Sequence, residues 1–301
     1  MTGRHAEAEP VPSRGTRLGI VLLGLIVVAS LVGVTVTVVA RSAPAEAGAS
    51  TPARPQAPLP GPGAWRLPAR DWPPLPPADA ASPWAAAQAT PLDPVRPVTL
   101  RGCPAPAVAA TEEAWREAVT RQWDCVHAAW EPVLDGLGWP TTRPAVEFFT
   151  GEGSDSGCGY LEAPAFYCSA GDGVVHFGEG HLRMAQTWDL AVNEMVNHEY
   201  GHHLQHLAGI TDVKLSLAPA AELERRSELQ AICWSAMMTV HNQAVRLDEQ
   251  TVASWQARLD SMLVDGVHGS RASIQHWGIR GLYAATAGDC NAWVAPTELV
   301  A

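Results

Sequence analysis

Three absences narrow the reading before any motif is considered. There is no excess of basic charge: 20 Lys and Arg face 31 Asp and Glu, and the net charge is -11. Residues 1–41 hold Arg4, Arg14, Arg17 and Arg41 against Glu7 and Glu9, a balance of +2, so the remainder carries -13. That argues against a nucleic-acid partner, which needs a basic face. The chain has six cysteines but no CxxC pair, so a zinc ribbon or a thioredoxin-type redox site has no support. No internal repeat is visible, so a solenoid or a propeller is not expected.

What remains is a composition that can bury a core. Of 301 residues, 47% are hydrophobic and 17% charged, enough for one substantial domain plus appendages. Residues 18–40 run for 23 positions without a charge. A helix needs about 20 such residues to cross a bilayer. The span reads as an uncleaved transmembrane signal-anchor, with a cleaved signal peptide, and hence secretion, as the alternative. A signal peptide's apolar region is usually about 7 to 15 residues, and the proline in Ala43-Pro44-Ala45 makes a poor cleavage site. Arg14 and Arg17 precede the span and Arg41 follows it, which puts the N-terminus in the cytoplasm and the rest of the chain outside. Cys103, Cys125, Cys158, Cys168, Cys233 and Cys290 all lie beyond the span, in keeping with an oxidising exterior. Their spacing alone selects no pairing.

The expected organisation is a cytoplasmic tail (1–17), a transmembrane anchor (18–40), a Pro/Ala-rich extracytoplasmic linker (41–98) and a folded domain (99–301). Residues 42–98 hold 15 of the 25 prolines. Proline removes backbone donors and fixes φ, so this stretch is expected to be extended and unpacked, reaching on the order of 180 Å. Trp65, Trp72 and Trp84 are unusual for a solvated linker. They are read as lying along the folded domain, with binding to an envelope component as the alternative.

Within the domain, residues 111–136 are helical in pattern, opened by a Thr cap and two glutamates. AVEFFT (145–150) reads as a strand, GEGSDSGCG as a loop, and AFYCS and VVHFG as two short strands around the turn 170–173. Helices are expected at about 185–207, 219–246, 251–264 and 271–286. The fold class is therefore α+β, a small antiparallel sheet followed by a helical half.

The stretch VNHEYGHHLQHL (196–207) carries the chemistry. His198 and His202 are four apart, so a helix places both imidazoles on one face, about 40° apart. Glu199 completes HExxH, in which two histidines bind zinc and the glutamate is the general base. A catalytic zinc site needs a third protein ligand and a water. The metzincin extension does not supply it, because Gln205 and Ala208 stand where Gly and His are required. His206 lies about 12 Å along the axis from His198, and His203 is turned about 100° from His202. Both are read as surface residues or supports of a ligand. The third ligand is expected on the next helix, where Glu222, Glu224 and Glu228 are the candidates.

HEYGHHLQ followed by RRSELQAICW resembles the bacterial neutral zinc metallopeptidase family, whose members carry HExGHHxQ and then RxELQADC. CGYLEAPAFYCS (158–169), VVHF and HGSRASIQHWGIRGLYAATAGDC (268–290) resemble further family segments in the same order. The resemblance covers about residues 100–294. It implies a zincin-like fold and one zinc ion per chain, held by His198, His202 and Glu228, with Glu199 as the catalytic base. It implies the disulfides Cys158–Cys168 and Cys233–Cys290, and leaves Cys103 and Cys125 to pair with each other. His268, in HGS, is either an oxyanion stabiliser near the metal or part of a helix start capped at Ser270. One departure is important: Ile232 stands where the family has Asp, a residue expected to support a ligand histidine. A second is His276-Trp277-Gly278, where the family has WF.

These readings converge on a membrane-anchored, extracytoplasmic zinc-dependent peptidase acting on a peptide or protein substrate. Strand 174–177 is expected to be an edge that pairs with extended substrate. The alternatives are a zinc-stabilised pseudopeptidase that binds an envelope polymer or a protein partner, and a structural ectodomain without metal.

Overall fold

The computed structural model describes residues 65–301. The expected tail and anchor, including residues 18–40, and the first part of the expected linker lie outside the described residues. No helix among the described residues is long and apolar enough to cross a membrane.

The boundary expected at residue 99 moves upstream. Residues 65–98 form a strap on the domain: Ala87 and Leu92 are fully buried, and Trp72 and Trp84 pack against the core. A short helix, α1 (Ala85–Gln88), lies within it. Proline-rich chain lacks N–H donors but keeps its carbonyls. The strap docks largely through these: Pro68 O accepts from the Tyr283 hydroxyl at 3.0 Å, Pro73 O from Arg280 at 3.2 Å, and Val95 O from the Ala287 N–H at 2.8 Å. The apolar residues scattered among the prolines outweigh the extended, solvated tendency of the stretch.

Helix α2 (Glu112–Gly136) forms as its sequence implies. Thr111 Oγ1 accepts the Ala114 N–H at 3.1 Å, and Glu112 and Glu113 face the positive end of the helix dipole. Trp115, Val119, Trp123, Val126, Trp130 and Leu134 recur at helical spacing and are all buried. Buried indoles are a theme of this core, and each needs an acceptor for its N–H. Trp123 donates to Pro144 O, Trp234 to Ala287 O, Trp255 to Gly278 O and Trp277 to Leu299 O.

Strand β1 (Ala145–Phe149) follows as expected. The stretch read as a loop (151–159) instead contains β2 (Gly153–Ser156), which pairs antiparallel with β3 (Gly159–Glu162) in a mostly exposed hairpin. Then come β4 (Ala165–Cys168) and β5 (Val174–Gly178). The order is β1-β5-β4, with β5 parallel to β1 and antiparallel to β4. The strand expected to receive substrate is therefore central, and both its backbone edges are occupied. The edge strands are β1 and β4.

The helical half comprises α3 (Glu179–Ala185), α4 (Ala191–Leu207), α5 (Ile210–Ser216), α6 (Ala221–Val240), α7 (Glu249–Ser261) and α8 (Arg271–Arg280). Helix α4 starts later than expected because 186–190 form a turn, and Gly209, at φ +74°, ends its last turn. Helix α6 stops at Val240, not near 246. Its next residues pair instead with Leu100, whose N–H bonds His241 O and whose carbonyl accepts from Gln243, both at 3.0 Å. The α+β class stands, with a mixed sheet in place of an antiparallel one.

The disulfides are Cys103–Cys125, Cys158–Cys168 and Cys233–Cys290, the pairs implied by the resemblance. They tie the strap's exit to α2, the hairpin to β4, and α6 to the C-terminal turns.

Candidate metal centre

Helices α4 and α6 pack closely at Gly201. A Cβ there would lie 3.2 Å from Ala231 Cα, so only glycine lets the two backbones approach this far without adjustment. The approach carries Glu228, on α6, to the histidine face of α4. Its Oε2 lies 3.1 Å from His198 Nε2 and 3.4 Å from His202 Nε2, and the two imidazole nitrogens are 3.1 Å apart. Among the described residues these three form the one cluster whose ligand atoms could share a metal ion. Of the three glutamates left open by spacing, Glu222 pairs with Arg226 and Glu224 with Lys214, which leaves Glu228 for the site.

The electrostatics suit a cation. Burial alone would raise the Glu228 carboxyl, but the charges and hydrogen bonds of His202 and His198 outweigh it and hold the group well below the usual carboxylate range. Burial alone would lower His202, but Glu228, Glu199 and Gln205 push it up to about 9. An anionic oxygen and two ring nitrogens thus share a buried space that lacks a permanent cation. Glu199 is buried beside them, and that burial raises its carboxyl despite the two histidines. Its Oε2 has no hydrogen-bond partner among the described residues. The donor set of two imidazoles and a carboxylate fits a metal, and its chemistry suits zinc.

The two candidate ligand histidines are supported unequally. His202 Nδ1 bonds Gln205 Oε1 at 2.9 Å. His198 Nδ1 is buried with no partner among the described residues. Ile232 is 2% exposed within the apolar core.

The other sequence-selected residues are not part of this three-residue cluster. His203 is not on the surface. It is 2% exposed between α4 and α2, and Tyr167 on β4 bridges it to His206 through hydrogen bonds of 3.0 and 2.9 Å. Burial, with His127 and His206 nearby, pushes His203 down to about 3. His268 lies outside the metal cluster, and its Nδ1 bonds the Asp265 carboxylate at 3.0 Å. HGS is a capped helix start: Ser270 Oγ accepts the Ser273 N–H at the head of α8. Trp277 is buried, and His276 meets Trp72 of the strap edge to face. Sequence reasoning gave Gln205 no role beyond excluding the metzincin extension. Its signal was its place three residues after His202, on the same helix face.

No family model matches the chain, and no solved structure matches it. The chain is similar to uncharacterized proteins of Mycobacterium tuberculosis and Mycobacterium bovis, 28% identical over 155 residues in each case. The matched part is 49% of this chain and 51% of each relative, so the chain spans about half the length of the curated relatives it matches.

Proposed function

We propose that the chain is a zinc-dependent peptidase, anchored by residues 18–40 and carrying its catalytic domain outside the membrane. The observation that carries this reading is the convergence of His198, His202 and Glu228, with the unpartnered carboxylate of Glu199 buried beside them. The motif resemblance across residues 100–294 supports it, and three disulfides support an oxidising location. When bound, zinc supplies Lewis acidity: it lowers the pKa of a bound water and polarises a substrate carbonyl. His198 and His202 present Nε2, and Glu228 presents Oε2, to hold the ion. Glu199 Oε2 takes one proton from the attacking water and delivers it to the departing amine nitrogen, so the carboxylate is regenerated when the C–N bond breaks. Burial raises its carboxyl, which makes it the stronger proton acceptor in the first half of that transfer.

The unpartnered Nδ1 of His198 and the apolar Ile232 favour a second reading, a zinc-stabilised binder without turnover. Glu199→Gln separates the two. Full-length protein, made under oxidising conditions, is expected to hold one zinc per chain and to cleave unstructured polypeptide. The variant should keep the zinc and lose at least a hundredfold in kcat. Equal cleavage by both proteins would remove Glu199 as the base, and a wild type that holds zinc but cleaves nothing would support the binder.

A further inference from the structure

The hydrogen bonds behind His202 lead to a part of the chain that no catalytic motif touches. Gln205 is 1% exposed, and its Nε2 donates to Ser227 O at 2.8 Å. A backbone carbonyl only accepts, so this contact fixes which way the amide faces. Oε1 must then face His202 Nδ1, at 2.9 Å, while also taking the Ser227 hydroxyl at 2.8 Å. An oxygen in that position requires the His202 proton on Nδ1. In the neutral ring that metal binding requires, the Nε2 lone pair is then left pointing at His198 and Glu228.

Gln205 is itself held from behind. Its Nε2 donates to Gln230 Oε1 at 3.0 Å, and the same oxygen accepts the Trp293 indole N–H at 3.2 Å. Trp293 is fully buried, and its carbonyl accepts from Trp84 Nε1 at 3.0 Å and from Gln88 Nε2 at 2.9 Å. Gln88 is fixed in turn by the Asp79 N–H on its Oε1, at 2.7 Å. Arg226 makes a second tie. Its guanidinium lies 5.1 Å from the Trp84 ring centroid and donates to Ala295 O at 2.9 Å, one residue before the Ser227 carbonyl that orients Gln205.

We propose that Gln205 is a positioning residue that selects the metal-binding tautomer of His202, and that Trp84 and Gln88 of the strap tune metal affinity through Trp293 and Gln230 without touching a ligand. This rests on the reading of His198, His202 and Glu228 as metal ligands. The strap is therefore part of the metal centre, although its composition is that of a linker.

The test uses full-length protein, Zn²⁺ in competition with a chromophoric chelator, and the visible spectrum of the Co²⁺ form. Gln205→Met, unbranched and of similar length, is expected to weaken zinc binding roughly 10- to 100-fold and to alter the Co²⁺ bands. Gln88→Leu, remote from every ligand, is expected to weaken it roughly three- to tenfold. The thermal midpoint of each metal-free variant separates a loss of fold from a loss of affinity. Wild-type affinity in both variants, with lowered midpoints, would make the chain of contacts purely structural and overturn the proposal. Weakening by Gln205→Met alone would overturn the role of the strap. A wild type that binds no zinc would instead overturn the metal reading beneath it.

Discussion

His181 offers a sharp test of how burial sets charge in this core. It is fully buried on α3, with Nδ1 accepting from the Trp115 indole at 3.3 Å and Nε2 bonded to Ala191 O at 3.2 Å. An indole only donates and a carbonyl only accepts, so the two contacts demand a neutral ring protonated on Nε2. Burial, with a smaller contribution from Arg258 and against the Ala191 bond, pushes the group down to about 4 from an ordinary 6.5. Between those two values the unfolded chain binds the proton and the folded one does not. Stability is therefore complete above pH 6.5, falls as the pH drops through 6.5, and stops falling below about 4. The loss is about 3 kcal/mol at 1.36 kcal/mol per unit. For a domain of this size that is roughly 6–12 °C in Tm. His181→Gln keeps both hydrogen bonds, with the amide oxygen facing the indole and the amide nitrogen facing the carbonyl, but it does not titrate. Thermal unfolding of both proteins from pH 7.5 to 4, with a chelator present so that metal release adds nothing, should show the wild type losing about 3 kcal/mol more than the variant. Parallel curves would refute the reasoning.

Two further outcomes follow from the same structure. Ile232→Asp restores the residue type that the resemblance implies supports a ligand histidine, and should tighten zinc binding roughly 10- to 100-fold in chelator competition; an unchanged or weaker affinity would show that this position does not support the site. Removing the Cys233–Cys290 bond by paired alanine substitution should cost about 4 kcal/mol in urea unfolding, from the loop of 57 residues it closes, and a cost below about 1 kcal/mol would show that the link constrains little.

How much was legible depends on whether the deciding force is local. Helix α2 could be read because its cap, its acidic first turn and its tryptophan stripe are all contained in its own residues. The metal face of α4 could be read for the same reason, since four-residue spacing is a local fact. The choice of Glu228 over Glu222 and Glu224 could not, because α6 presents all three and only its packing on α4 selects one. That choice, and the disulfide pairing, came from the resemblance alone. The β2–β3 hairpin was missed because Gly, Ser and Asp give it no apolar alternation, and an exposed hairpin has no need of one. The central place of β5 was hidden because strand order is set by pairing between β1 and β5, separated by 29 residues in register, which no window of sequence contains. Proline count misled over the strap. Its better indicators were Trp72, Trp84 and Leu92, residues that a solvated linker would not carry.

The unequal support of the two histidines bears on how this site is organised. His202 is held through its ring by Gln205, and Gln230, itself bonded by Trp293, holds Gln205 from the far side. Among the described residues His198 has no such acceptor, and its Nε2 meets Glu228 Oε2 at 3.1 Å. The close approach of α4 and α6 at Gly201 and Ala231 then becomes the main constraint on that side, because it sets the distance from His198 to Glu228. A site braced by hydrogen bonds on one ligand and by backbone proximity on the other should lose order differently when each is disturbed. Weakening the Gln205 side frees a tautomer and a ring orientation while the helices stay put. Parting the helices moves the carboxylate from both histidines at once, and metal geometry tolerates only about 0.2 Å of such movement. Glycine in HEYGH is therefore a distance-setting element of the cluster, as much as His198, His202 and Glu228 themselves.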